Sequence, residues 1–371
     1  MRWGTAAIVA AAAVGTGAAV LLLGRRVSDR VVRPGAVEPH VAAALRIHDL
    51  GAGRVTVTRS PESLRPGHYA LEWEDGGHAV VGEILTTDTQ SVTRRLERAD
   101  RGTLAIGTEV RITPRVHVGD PRSALGIDFA EPAVPGELGA MPAWYTIGVR
   151  GTWVVLVHGP AADRTQALPV LPVLHTLRLP TLTVTHRGDE GAPASPDGLG
   201  HFGETEWRDV ESALRFALDN GAGRVVLYGW SLGATMVLQT AARSAWKDRI
   251  GGLVLDSPVL DWSDTVRRET RRSGASAALA ELGALAAEGR TKVDLADFAR
   301  LAEGRDLAAP TLLLHSPDDS VAPWAAARRL AGRREDLVSL HPVPGAEHAA
   351  LWNVDPEAYT EALRRFFTPL I

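Results

Sequence analysis

Cysteine is absent from the 371 residues. Disulfides, thiolate metal sites and a cysteine nucleophile are thereby excluded, while the redox compartment stays open. Lysine is nearly absent too: Lys247 and Lys292 stand alone, and arginine carries most of the positive charge. Forty Lys and Arg against 44 Asp and Glu leave a formal net charge of -4, with no basic block and no interleaving of aromatic and basic residues. Nucleic acid is therefore not an expected partner. Long apolar runs are also missing, save one. From Gly4 to Gly24 no charge interrupts a stretch rich in Ala and Gly, which ends in Leu21-Leu22-Leu23 before Arg25 and Arg26. At about 1.5 Å per residue it is long enough to cross a bilayer as a helix. Cleavable signals have a shorter apolar region of about 7 to 15 residues, so an uncleaved anchor within residues 1–26 is expected; cleavage would instead give a secreted protein. Arg25, Arg26, Arg30 and Arg33 come after the run and only Arg2 precedes it, which by the positive-inside rule places the main body in the cytoplasm.

Beyond the apolar run the chain divides into two kinds of pattern. Residues 27–45, with Pro34 and Pro39, read as a stalk beside the membrane. From 46 to 142, short β-prone runs such as Arg54 to Thr58, His78 to Leu85 and Val110 to Thr113 are separated by Gly, Pro and Asp turns, the pattern of a small β-rich domain. His68, His78 and His117 are scattered through it without ligand spacing, so no metal site is expected there. Tyr69 and Trp73 suit a core or an interface. From residue 143 to 371 apolar runs alternate with amphipathic segments, the mark of βαβ units and a mostly parallel sheet flanked by helices. Strands are expected at Thr152 to Val157, Thr181 to Thr185, Arg224 to Tyr228, Gly252 to Asp256, Thr311 to Leu314 and Val338 to His341. Active groups belong at their carboxyl ends.

One of these strands breaks into Gly229-Trp230-Ser231-Leu232-Gly233 before a helical segment. A tight strand-to-helix turn lifts a serine hydroxyl clear of the backbone, and glycines on either side leave room for the turn and for helix packing on the sheet. A later strand ends in His315-Ser316-Pro317-Asp318-Asp319, which offers two carboxylates able to hold an imidazole; Asp319 is preferred to Asp318. The loop Gly345-Ala346-Glu347-His348 comes after the last strand and can reach across the sheet. In these roles His348 takes the proton of Ser231 while Asp319 fixes its tautomer. Anion donors are expected from the Leu232 N-H at the helix start and from the loop after His158-Gly159.

Together, the His158-Gly159 strand end, the Gly229 to Gly233 elbow, the His315 to Pro323 turn and the Gly345 to His348 loop resemble the α/β-hydrolase superfamily over residues 144–371. More closely they resemble the large bacterial group of serine-aminopeptidase-like and dienelactone-hydrolase-like proteins, and the segment Arg187-Gly188-Asp189-Glu190-Gly191-Ala192-Pro193 through Glu206-Trp207-Arg208-Asp209-Val210 resembles actinobacterial members. The resemblance implies a serine hydrolase acting on a small-molecule ester through an acyl-enzyme, with no cofactor and no metal. In that family the residue after His-Gly commonly supplies the second oxyanion N-H; here it is Pro160, which has none, so Ala161 becomes the candidate. The interval 261–308 is a candidate helical cap. Peptidase, amidase or acyltransferase chemistry on the same residues, and a membrane-anchored binding protein with a degenerate hydrolase fold, are the competing readings. Oligomeric state is not readable from the sequence.

Overall fold

The computed structural model describes residues 44–272, 274 and 276–371, together with residues 25, 28, 29 and 31–34. The apolar run expected to cross a membrane, residues 4–24, lies outside the described residues. Among the described residues no helix is long and apolar enough to cross a membrane. Of the stretch expected as a stalk, the described part packs on the body of the protein. Val32 is buried and its carbonyl accepts a hydrogen bond from the Gly200 N-H at 2.7 Å, while Arg290 reaches Asp29 at 2.8 Å.

Six strands form a closed antiparallel barrel: β1 (Leu45–Gly51), β2 (Arg54–Thr58), β3 (Tyr69–Trp73), β4 (Gly77–Thr87), β5 (Ser91–Arg101) and β6 (Glu109–Thr113). They pair in the order β1-β2-β5-β4-β3-β6, and β6 returns to β1. Alternation drives this arrangement, because successive side chains of a strand point to opposite faces. Val55 and Val57 of β2, Val110 and Ile112 of β6, and Leu45 and Ile47 of β1 all point inward. Register shifts between β4 and β5 add the local twist that closure needs.

Arg94 is the exception inside this apolar ring. It is fully buried on β5, and its guanidinium donates to the carbonyls of Gly82, Ser63, Arg65 and Gly67 at 2.6 to 3.1 Å. Burial lowers its pKa to about 10, still well above neutrality, so it stays charged. In this position it organises the loop between β2 and β3.

A second, nine-stranded sheet runs in the order β15-β14-β13-β12-β10-β11-β9-β7, with β8 against β9. Its strands are β7 (Phe129–Ala130), β8 (Ala133–Pro135), β9 (Ala140–Thr146), β10 (Thr152–Val157), β11 (Thr181–Val184), β12 (Arg224–Trp230), β13 (Ile250–Asp256), β14 (Thr311–His315) and β15 (Val338–Pro342). The six from β10 to β15 are mutually parallel, β9 runs antiparallel to β11, and the short β7 lies beyond β9 at the edge. Such strands are covered on both faces, hence their unbroken apolar runs. Val155, Val157, Val225, Leu227 and Leu253 face one layer of helices; Val154, Leu156, Val226, Val254 and Leu312 face the other. The fold is thus an α/β sandwich with a β-barrel ahead of it.

The boundary expected at residue 142 falls elsewhere. The barrel closes at Thr113, whereas β7, β8 and β9 belong to the second sheet. Composition in this stretch is as turn-rich as in the barrel; what assigns it is the pairing of β9 with β11, a long-range contact that local pattern does not display. The interval 261–308 holds α3 (Trp262–Arg272), α4 (Ala277–Thr291) and the 3-10 turns Leu295–Glu303, preceded in the chain by α1 (Trp207–Asp219) and α2 (Leu232–Arg243).

Replacing Arg94 with Met withdraws a charged donor from several carbonyls inside the barrel and should cost about 3 kcal/mol or more. Thermal unfolding of the full chain is the measurement: a midpoint equal to wild type would contradict the role assigned to Arg94.

Candidate active site

Ser231, Asp319 and His348 come from three loops at the carboxyl end of the parallel sheet, after β12, β14 and β15. Ser231 sits at φ 53°, ψ -115°, a conformation that non-glycine residues adopt only under constraint. Two glycines supply that constraint by letting backbones touch. A Cβ on Gly229 would stand 2.4 Å from the Gly233 backbone, and one on Gly233 would stand 2.2 Å from the Val157 carbonyl oxygen. Both glycines serve close approach, and the strained dihedral falls on the serine itself. Its N-H is held by the Asp256 carbonyl at 2.9 Å.

The hydroxyl of Ser231 lies 2.7 Å from His348 Nε2, and His348 Nδ1 lies 2.8 Å from Asp319 Oδ2. Asp319 Oδ1 accepts from the Val321 and Ala322 N-H groups at 2.8 and 2.7 Å. Burial pushes the Asp319 carboxyl up, but His348 and His315 outweigh it and hold the group well below the usual carboxylate range. An ionised Asp319 must receive a proton from Nδ1, which leaves the Nε2 lone pair for the Ser231 hydroxyl. Asp318 is turned elsewhere: its Oδ2 accepts from the Gly345 N-H at 2.8 Å. The adjacent carboxylates thus divide, one holding the imidazole and one holding its loop.

Sequence reasoning passed over three groups around this relay. His315, fully buried at the end of β14, places Nε2 3.1 Å from the same Asp319 oxygen; its position four residues before Asp319 was the available signal. Asp256, buried at the end of β13, is pushed up to about 6 by burial, against hydrogen bonds from Tyr359 at 2.6 Å and Ser257 at 2.8 Å. The Ser257 hydroxyl in turn accepts from the Ala349 N-H at 3.0 Å, tying the His348 loop to β13. Asn353 is the third. Its side chain donates to the His68 and Pro114 carbonyls of the barrel side at 2.8 and 2.9 Å, and its carbonyl accepts from the His68 N-H at 2.7 Å. Beside it, Arg65 pairs with Glu347 at 3.1 Å, and Ser320 donates to Glu347 at 3.0 Å. The barrel is thereby fastened to the segment that carries His348.

A cavity of about 530 Å³ opens in front of Ser231 and His348. Phe202, Trp230, Val259, Trp262 and Val266 give it apolar walls, Tyr69 and Ile112 bring the barrel to one side, and Val31 to Pro34 bring the N-terminal segment to another. Burial lowers the His117 pKa to about 4, so this cavity residue is neutral near pH 7. Of the expected anion donors, Leu232 opens α2, where its N-H has no intrahelical acceptor. Gly159 lies against Ser231, and its own N-H is taken by Gln166 Oε1 at 2.8 Å. Pro160 and Ala161 line the cavity next to it, Ala161 with φ 54°.

Known proteins match the chain along the same division. Residues 194–368 match the prolyl oligopeptidase family, and residues 46–113, the barrel, match a domain of unknown function, DUF8805. The chain is 26% identical over 230 residues to Uncharacterized protein Rv2307c of Mycobacterium tuberculosis, covering 61% of this chain and 74% of that protein. In fold it is similar to the esterase Pf2001 of Pyrococcus furiosus, with a TM-score of 0.55 at 16% identity over 68% of this chain and 94% of that one. It is also similar to Est1E of Butyrivibrio proteoclasticus, solved with ferulic acid bound, with a TM-score of 0.50 at 17% identity over 64% and 98% of the two chains.

Asn353→Ala should leave two barrel-side carbonyls without their donor at about 1 to 3 kcal/mol each. Limited proteolysis and thermal melting of the full chain are expected to show a loosened barrel; unchanged protection would contradict the docking.

Proposed function

We propose that this chain, which belongs to the α/β-hydrolase superfamily and is a serine hydrolase, cleaves carboxylic esters through an acyl-enzyme on Ser231. The observation that carries the reading is the continuous hydrogen-bonded path from Asp319 through His348 to the Ser231 hydroxyl, on the wall of an apolar cavity. Attack of Ser231 Oγ on the ester carbonyl transfers its proton to His348 Nε2, and the imidazolium gains from the Asp319 carboxylate. The tetrahedral oxyanion is received by the Leu232 N-H and the Ala161 N-H, worth on the order of 3 kcal/mol each. His348 then gives its proton to the leaving alkoxide, and water, deprotonated by the same imidazole, releases the acid.

Trp262, Thr265 and Val266 on α3 support a cap role for the interval 261–308, since they line the cavity in front of Ser231. Ester rather than amide cleavage is supported by the apolar walls and by the fold likeness to proteins described as esterases. Amide hydrolysis is the second reading, favoured by the match of residues 194–368 to the prolyl oligopeptidase family. The uncharged run from Gly4 to Gly24 supports anchorage at a membrane, with the body on the cytoplasmic side.

Ser231→Ala should abolish turnover of short p-nitrophenyl esters, and Asp319→Asn should lower kcat on the order of 10⁴-fold. Asp318→Asn should do far less, and equal losses at 318 and 319 would contradict the assignment. The pH dependence has a definite sign. Burial pulls the His348 pKa down, but Asp319, Asp256 and Glu347 pull it up and prevail, leaving it above the ordinary 6.5. The base must be unprotonated, so activity should fall on acidification through a midpoint above pH 6.5; a kcat/KM limb centred below that value would contradict this electrostatic account.

A further inference from the structure

The loops after β10 and β11 meet beside the cavity and bring together three side chains that the hydrolytic relay does not use. His158, His186 and Asp189 each offer one donor atom, and these atoms lie within 4.8 Å of one another. Both histidines are buried, whereas Asp189 retains some exposure and, with His186, lines the cavity wall.

Their geometry is that of co-ligands rather than of a hydrogen-bonded pair. His158 Nδ1 lies 2.9 Å from the Gly159 carbonyl oxygen, so Nδ1 carries a proton and Nε2 is the ring nitrogen left to face Asp189. That nitrogen stands 3.0 Å from Asp189 Oδ2 and yet has no hydrogen-bond partner, because the oxygen lies off the axis along which Nε2 can donate or accept. Two ligand atoms each about 2.0 to 2.2 Å from one small cation stand side by side at roughly this separation. His186 is arranged differently: its Nδ1 stands 3.5 Å from the same Asp189 oxygen and 3.5 Å from the Arg187 carbonyl oxygen, and its other nitrogen, Nε2, is buried and unpartnered. The two rings stack with centroids 4.4 Å apart, so each turns a nitrogen toward one carboxylate. The His186 N-H, 2.7 Å from Asp189 Oδ2, orients that carboxylate in turn.

We propose that His158, His186 and Asp189 bind a divalent transition-metal ion of the Zn²⁺ class. Two imidazoles and one carboxylate suit a borderline cation, whereas Mg²⁺ and Ca²⁺ take oxygen ligands. The single negative charge of the set favours a dication, and a fourth position opens toward the cavity that His186 and Asp189 line. Such an ion joins the strand-end loop of Gly159, Pro160 and Ala161 to the loop after β11. Binding does not depend on the ester reading, since none of the three ligands belongs to the Ser231 relay.

The test uses the full-length, untagged chain stripped with a chelator. Calorimetric titration with Zn²⁺ should show one tight equivalent, and Asp189→Asn and His186→Gln should each weaken it at least about tenfold. Both variants should keep the wild-type far-UV circular dichroism spectrum and a cooperative thermal transition, which separates loss of the site from loss of the fold. Titration of the wild type with Co²⁺ reads the site without any variant, through the visible d–d absorption of a four-coordinate ion. No stoichiometric Zn²⁺ uptake, no visible band at one equivalent of Co²⁺, or equal Zn²⁺ affinity in wild type and both variants would overturn the proposal; a His158 imidazolium paired with Asp189 would give that result.

Discussion

The approach of Gly233 to the Val157 carbonyl, where a Cβ would stand only 2.2 Å away, brings the first turn of α2 onto the end of β10, and the aim of Ser231 depends on it. With α2 seated that closely, the chain must leave β12 and enter the helix within one residue. That residue is Ser231, which takes the left-handed backbone itself. Strain of this kind costs about 1 to 3 kcal/mol and persists only where the surroundings over-determine it. Here the parallel sheet does so: β10 and β13 flank β12, and Asp256 at the end of β13 holds the Ser231 N-H. Stability of the sheet is therefore converted into the position of one hydroxyl.

Around that hydroxyl the sheet sets two buried carboxylates to opposite charge tendencies. Asp319 faces two imidazoles, which overcome burial and keep it ionised, while two backbone N-H groups hold its other oxygen. Asp256 faces hydroxyl donors, Tyr359 and Ser257, which do not overcome burial and leave it raised to about 6. The difference lies in the partners, since both side chains are buried. The barrel adds a mechanical link. Arg65 on Glu347 and the Asn353 hydrogen bonds hold the His348 segment in addition to Ser257, so the segment that carries the imidazole is tied to both domains.

Much of this was legible in the sequence where local pattern suffices. The strands from β10 to β15 coincide with apolar runs that only a doubly covered parallel sheet makes, and Ser231 and His348 come after strand ends as expected. Legibility failed where a contact joins distant segments. Nothing local separates Asp318 from Asp319; only the reach of the Gly345 loop does. The polar character of Arg94 hides how fully the barrel encloses it, because its acceptors are carbonyls, invisible in a residue alphabet. β9 looks like the turn-rich barrel until β11 pairs with it. Likewise His158, His186 and Asp189 meet only because β10 and β11 are neighbours in the sheet.

The central claim is that Ser231 is a nucleophile activated by its neighbours, and covalent labelling examines it most directly. The full-length protein would be treated with a fluorophosphonate at neutral pH and its peptides mapped by mass spectrometry. The account predicts a single adduct, on Ser231, that disappears in Ser231→Ala. A protein that stays unlabelled, or that carries the adduct on another residue, would contradict it.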